Sequence, residues 1–142
     1  MPTLLLAGAV SLLMIACAPL APTDRVNDTP LVASLTVEPH HGGADLALLV
    51  TNTSRRPVDV GFRTGQTFDF AVSDADGEEI WRWSDDQMFT QALRQARWEP
   101  GATHTFRARW ERSAGDRGGL TASGWLTSHT HPLERQSTFE LP

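Results

Sequence analysis

The sequence predicts an all-β protein, an antiparallel sandwich of seven or eight short strands with one short helical or irregular crossover. Three observations carry this. Apolar residues alternate with period two in window after window from Leu31 onward. Gly, Pro, Asn and Asp clusters punctuate those windows at about the 8–12-residue spacing of sandwiches. One window alone, residues 86–96, carries helical spacing.

The elements follow in order. Leu31, Ala33, Leu35 and Val37 alternate with Val32, Ser34 and Thr36, a strand with one apolar face. Pro39–Gly43 is a turn. Leu46, Leu48 and Val50 then alternate with Ala47, Leu49 and Thr51, and the apolar character of that second set predicts that it is covered. Asn52-Thr53-Ser54 opens a polar turn that closes at Pro57, and Val58, Val60 and Phe62 form a short strand. Phe68, Phe70 and Val72 share one face of the next, with Thr67, Asp69 and Ala71 opposite. Asp74-Ala75-Asp76-Gly77 is a hairpin signal, because Asp side chains bond nearby amides and Gly accepts positive φ. The returning strand runs Ile80 to Trp83, with Trp81 and Trp83 on one face and Ile80 and Arg82 on the other.

Ser84-Asp85-Asp86 can cap a helix by accepting free first-turn amides. Phe89, Ala92, Leu93 and Ala96 follow at helical spacing, so residues 86–96 are expected to form one to three turns or an irregular crossing between sheets. Trp98 and Pro100-Gly101 end it. His104, Phe106, Ala108 and Trp110 alternate as a strand, and Ser113–Gly119 is a loop rich in Gly and charge. Leu120, Ala122, Gly124 and Leu126 face one way with Trp125 opposite, and a last strand is expected over Ser137–Leu141.

The run from Gly65 to Leu93 also carries a resemblance. Gly65-Gln66, Phe68-Asp69-Phe70, Asp76-Gly77, Trp81-Arg82-Trp83-Ser84 and Phe89-Thr90-Gln91-Ala92-Leu93, then Pro100-Gly101 and the Trp110 strand, resemble the BsuPI-type intracellular proteinase inhibitor domain. The resemblance covers roughly Val32 to Leu141. It implies an immunoglobulin-like sandwich and a proteinase-inhibitor role.

The first 16 residues are uncharged, and Leu4–Ala16 is an apolar run too short for a transmembrane helix, which needs about 20 residues. It suits a signal-peptide core. The run ends Met14-Ile15-Ala16-Cys17, which resembles a bacterial lipobox with Cys17 as the lipidated residue. Cys17 is the sole cysteine, so no intramolecular disulfide forms, and lipidation would account for a lone thiol in an exported protein. Residues 17–30 then read as a lipidated cysteine and a Pro-rich tether, and residues 31–142 as the domain. An extended 13-residue tether over 18–30 reaches at most about 45 Å, and a coil nearer 20 Å. The expected location is the cell envelope, lipid-anchored, with Ala18 implying the periplasmic face of the outer membrane in a Gram-negative cell.

A net charge of −5 argues against a nucleic-acid partner. No nucleophile elbow, P-loop or dinucleotide glycine pattern occurs, so no enzyme and no cofactor are expected. His40 and His41 sit in a turn, and His129 and His131 lie two apart, but no spacing joins the pairs into a metal site. The acidic cluster Asp74, Asp76, Glu78 and Glu79 lacks EF-hand spacing, and turn chemistry accounts for it. Arg82 is expected to pair with an Asp or stack on a ring.

Two functions remain. An inhibitor presents a stiff exposed loop. Arg55 and Arg56 before Pro57, and Arg112 and Arg117 in the 112–118 loop, are candidate residues for entering an acidic protease pocket. Trp125, opposite the apolar face, is the tryptophan expected at the surface and a further candidate contact. The first reading is therefore an envelope-anchored inhibitor of a serine protease. The alternative is a non-inhibitory binding module for an envelope protein or glycan.

Overall fold

The computed structural model describes residues 29–142, so the leader, Cys17 and the tether before Thr29 lie outside the described residues. Nine strands form among them: β1 (Leu31–His40), β2 (Gly43–Asn52), β3 (Val58–Phe62), β4 (Phe68–Ser73), β5 (Glu79–Arg82), β6 (Arg94–Trp98), β7 (Thr103–Glu111), β8 (Leu120–Leu126) and β9 (Leu133–Phe139). All pairings are antiparallel, in sheets ordered β1-β2-β7, β3-β6 and β5-β4-β8-β9. The three- and four-stranded sheets face each other as the antiparallel β-sandwich expected.

The buried residues are those the alternation selects. Leu46, Leu48 and Val50 of β2, Phe70 and Val72 of β4, and Leu120, Ala122 and Leu126 of β8 form the centre, with Phe62 and Trp110. At Gly124 the sheets come so close that a Cβ would stand 3.3 Å from Leu35 Cδ1 and 3.2 Å from the Phe70 ring. The outer face of β2 is sheltered by its neighbours. Ala47, flanked by Thr36 and Arg107, is buried, and Leu49, flanked by Ser34 and Thr105, is half-buried.

Buried Asn52 shows how the polar turns are tied in. Its Nδ2 donates to the carbonyls of Arg56 (2.8 Å) and Trp98 (3.0 Å), and its Oδ1 accepts from Ser54 N (3.0 Å) and Ser54 Oγ (2.7 Å). Every bonding position of a buried amide is thereby used, as burial requires. One end of the sandwich gathers this turn, Pro30, the 99–102 turn, the β3–β4 connection and the β8–β9 connection, through Thr53 N–Pro30 O, Gly101 N–Asn52 O and Thr127 N–Thr67 O. The other end gathers the β1–β2 turn, the 112–119 loop and the C-terminus, through Arg112 N–Gly42 O and His41 Nδ1–Pro142 O.

The helix expected within residues 86–96 is absent. A single 3₁₀ turn, Trp83–Asp86, is followed by an irregular crossing over 87–93, the second of the two forms expected. The remainder is β6, which supplies the ladder β3 needs, from Val58↔Trp98 to Phe62↔Arg94. Its side chains follow period two, with Ala96 and Trp98 inward and Gln95 and Arg97 outward. The last strand also differs. It runs Leu133–Phe139 rather than Ser137–Leu141, because β9 pairs along the whole of β8, from Leu126↔Leu133 to Leu120↔Phe139.

Candidate functional site

The segment that carries the resemblance converges on one structure, the base of the 87–93 crossing. Asp69 alternates outward on β4 yet is buried, and its carboxylate is saturated. Oδ1 accepts from Phe70 N (2.9 Å) and Ser84 N (3.1 Å), and Oδ2 accepts from Arg82 Nη1 (2.9 Å) and Ser84 Oγ (2.7 Å). The carboxylate thus fixes the first residues of the 3₁₀ turn to β4. The turn closes with Gln87 N on Ser84 O.

Arg82 holds the other side of this network. Its Nε and Nη2 donate to Glu79 Oε1 (2.9 Å) and Oε2 (2.8 Å), the bidentate fork geometry of a strong ion pair. Its guanidinium carbon stands 4.8 Å from the centre of the Trp125 ring. Both expectations for Arg82, pairing and stacking, are met at once. Hydrogen bonding to Glu79, opposed in part by burial and reinforced by Asp69, raises the guanidinium pKa further, so it is charged at every accessible pH. The same bonds from Arg82 lower the Glu79 carboxyl below its ordinary value.

Aromatic rings back the crossing. Phe68 stacks between Trp83 (centroids 4.3 Å apart) and Phe106 (4.9 Å), and Phe89 leans on Trp83 at 5.9 Å. Gly65 N donates to Thr90 O at 2.8 Å. Arg94 closes the far end, bonding Thr67 Oγ1 and lying 4.4 Å over the Phe62 ring. A chain with no regular secondary structure is therefore fixed at both ends and in the middle.

Its outer side is open. Met88 is 98% exposed and Leu93 80%. Among the described residues, no backbone N–H of residues 88–92 donates to a protein acceptor. Gln87, where the crossing begins, is extended (φ −113°, ψ 153°).

The residues singled out in the sequence occupy three separate surfaces. Arg55 and Arg56 are exposed in the β2–β3 turn, at the end where Pro30 lies. That turn is closed on itself: the single Ser54 O–H is shared between Asn52 Oδ1 (2.7 Å) and Arg56 O (2.8 Å), and Arg56 N donates to Ser54 Oγ at 3.3 Å. Arg112 and Arg117 are exposed in the 112–119 loop at the opposite end, where Asp116 Oδ2 accepts from Ser113 N at 2.6 Å. Trp125 lies on the outer face of β8 and is half-buried, because Arg82 covers its ring. The structure brings none of these three together. Met88 and Leu93 were missed by sequence reasoning, because helical spacing grouped Leu93 with Phe89, Ala92 and Ala96 and left Met88 outside any pattern. The usable signal was that neither residue fits the period-two pattern of a flanking strand.

The other clusters resolve into local bonding. His40 and His41 lie at one end of the sandwich, His129 and His131 at the other. Among the described residues, no group of three or more His, Cys, Asp or Glu could hold a metal ion. Asp74 Oδ1 accepts from Asp76 N (3.0 Å) and Glu78 N (2.9 Å), which accounts for the acidic hairpin.

A comparison with curated proteins returns no match. The family model described as BsuPI, intracellular proteinase inhibitor, matches residues 31–131, from the first residue of β1 through the β8–β9 connection, and the chain belongs to that family.

Proposed function

We propose that this chain is an envelope-anchored inhibitor of a serine protease, acting by placing an exposed loop in the protease cleft. The family match over residues 31–131 supports the inhibitor role. Exposed loops on a rigid sandwich supply the physical means, because a loop already held in shape loses little freedom on binding. Lipidation at Cys17 rests on the apolar run ending Ile15-Ala16-Cys17, and it moves the target from the cytoplasm to the envelope.

The test is titration of the full chain against serine proteases with apolar, small and basic-residue preferences. Saturable inhibition of at least one at micromolar chain is the expected result. Binding without inhibition across the panel, with the chain shown folded by circular dichroism, would replace this reading by that of a non-inhibitory binding module.

A further inference from the structure

We propose that the inhibitory loop is the 87–93 crossing, with Met88 entering the primary specificity pocket, so that the target prefers a long apolar residue rather than a basic one. This rests on the inhibitor reading above and adds the loop, the residue and the substrate class.

A protease cleft takes its substrate as an added strand, hydrogen-bonding main-chain N–H and C=O groups while side chains fill pockets. The loop that enters must offer those groups unbonded. Residues 88–92 do so on the N–H side, and Met88 O accepts no bond from the described residues. The arginine loops differ. In the β2–β3 turn, Ser54 N and Oγ, Arg56 N and Arg56 O are engaged within the turn. In the 112–119 loop, Arg112 N, Ser113 N and Asp116 N are engaged. Arg55 N and Arg117 N are unbonded too among the described residues, but each loop bends sharply beside them, over Ser54–Arg56 and at Ala114-Gly115 and Gly118 (φ 87°), so neither presents an extended strip.

Side-chain placement agrees. Met88 projects wholly into solvent, while its neighbour Phe89 turns inward onto Trp83. An unbranched thioether fills apolar pockets of irregular shape. Asp85 and Asp86 stand exposed just before Gln87, so the cleft on that side is neutral or basic. The clamps on either side of Met88, Ser84 on Asp69 and Thr90 on Gly65, keep its backbone in place before any partner arrives.

The experiment uses the full chain against chymotrypsin, whose pocket is apolar, and trypsin, whose pocket is acidic. Wild type is expected to inhibit chymotrypsin and not trypsin. Met88→Asp should weaken inhibition by about 100-fold, the loss of one binding hot spot. Met88→Arg should shift inhibition toward trypsin. Paired alanine substitutions at Arg55 and Arg56, or at Arg112 and Arg117, should change inhibition by less than about 3-fold, as peripheral contacts do. Met88 is 98% exposed, so thermal unfolding of its variants should match wild type. If wild type inhibits but Met88→Asp inhibits equally well, or if inhibition follows the arginines, the loop assignment fails while the inhibitor reading stands. If wild type inhibits trypsin rather than chymotrypsin, the specificity assignment fails. If it inhibits no serine protease, the inhibitor reading fails and the loop assignment falls with it.

Discussion

Asp69 gathers four hydrogen bonds at one buried carboxylate, as many as Asn52 gathers at its amide. Four donors share its carboxylate, from Phe70, Arg82 and twice from Ser84. Asp69→Ala would strand the Ser84 donors and leave Arg82 paired with Glu79 alone. A loss of about 3 kcal/mol is expected from a broken, partly buried pair, read as a lower urea midpoint at unchanged slope. Asp59→Ala serves as the control, because its partner Arg97 stands 3.7 Å away and both side chains are more than half exposed; its cost should stay under about 0.5 kcal/mol. Glu79 adds a pH signature. Its folded pKa lies below the ordinary 4.5, so its contribution is fully present above that value and is lost as pH falls through the folded value. Glu79→Gln should therefore flatten the acid limb of stability below about pH 4.5 and leave its neutral shape unchanged. The alternation of β8 placed Trp125 correctly on the outer face. It could not show that Arg82, on a strand two removed, lies over the ring, because that depends on the register of β5 on β4 and of β4 on β8.

At the scale of elements, the strands with continuous alternation were legible. Leu31–Val37, Val58–Phe62 and Leu120–Leu126 each fall within an observed strand. The crossing was half legible. Ser84-Asp85-Asp86 lies within the Trp83–Asp86 turn but caps nothing: Arg82 holds the cap position without a side-chain bond, Ser84 N and Oγ both donate to Asp69, and no helical register continues past Gln87. The apolar residues at 89, 92, 93 and 96 share spacing by coincidence, since Phe89 packs on Trp83, Ala92 and Leu93 face solvent, and Ala96 belongs to β6. The loop's position is tested through Gly65. A Cβ there would stand 2.7 Å from Thr90 Oγ1, with Thr90 N next at 3.3 Å. Gly65→Ala should push Thr90 outward and weaken inhibition about 10-fold, the effect of displacing a loop without altering its contact residues. Thr90→Ala removes the obstructing oxygen, which makes no hydrogen bond among the described residues. It should be near neutral alone and restore most inhibition in the double variant. A double-mutant cycle in the inhibition constant measures that coupling. Additive effects would show that the Gly65–Thr90 contact does not set the position of Met88.

At the scale of the whole molecule, the crossing and the start of the domain share one end of the sandwich. Pro30 O accepts from Thr53 N, and the β3–β4 connection that carries Gly65 and Thr67 bonds Thr127 at that same end. If Cys17 carries acyl chains, as proposed, this end faces the membrane, and a bound protease must fit between the domain and the lipid. A globular protease of 250 residues is about 45 Å across. The 18–30 tether spans at most about 45 Å extended and about 20 Å as a coil, so its length limits access. Deleting residues 19–28 should therefore slow inhibition when the lipidated chain is displayed on vesicles. The same deletion in Cys17→Ala, which should also lose incorporation of labelled palmitate, should have no effect in solution. Comparison of association rates for the four proteins reads the difference directly. Equal slowing on vesicles and in solution would mean that the deleted residues act on the domain itself. No slowing on vesicles would place the working loop at the opposite end, with the 112–119 loop, and labelling that survives Cys17→Ala would move the anchor away from Cys17.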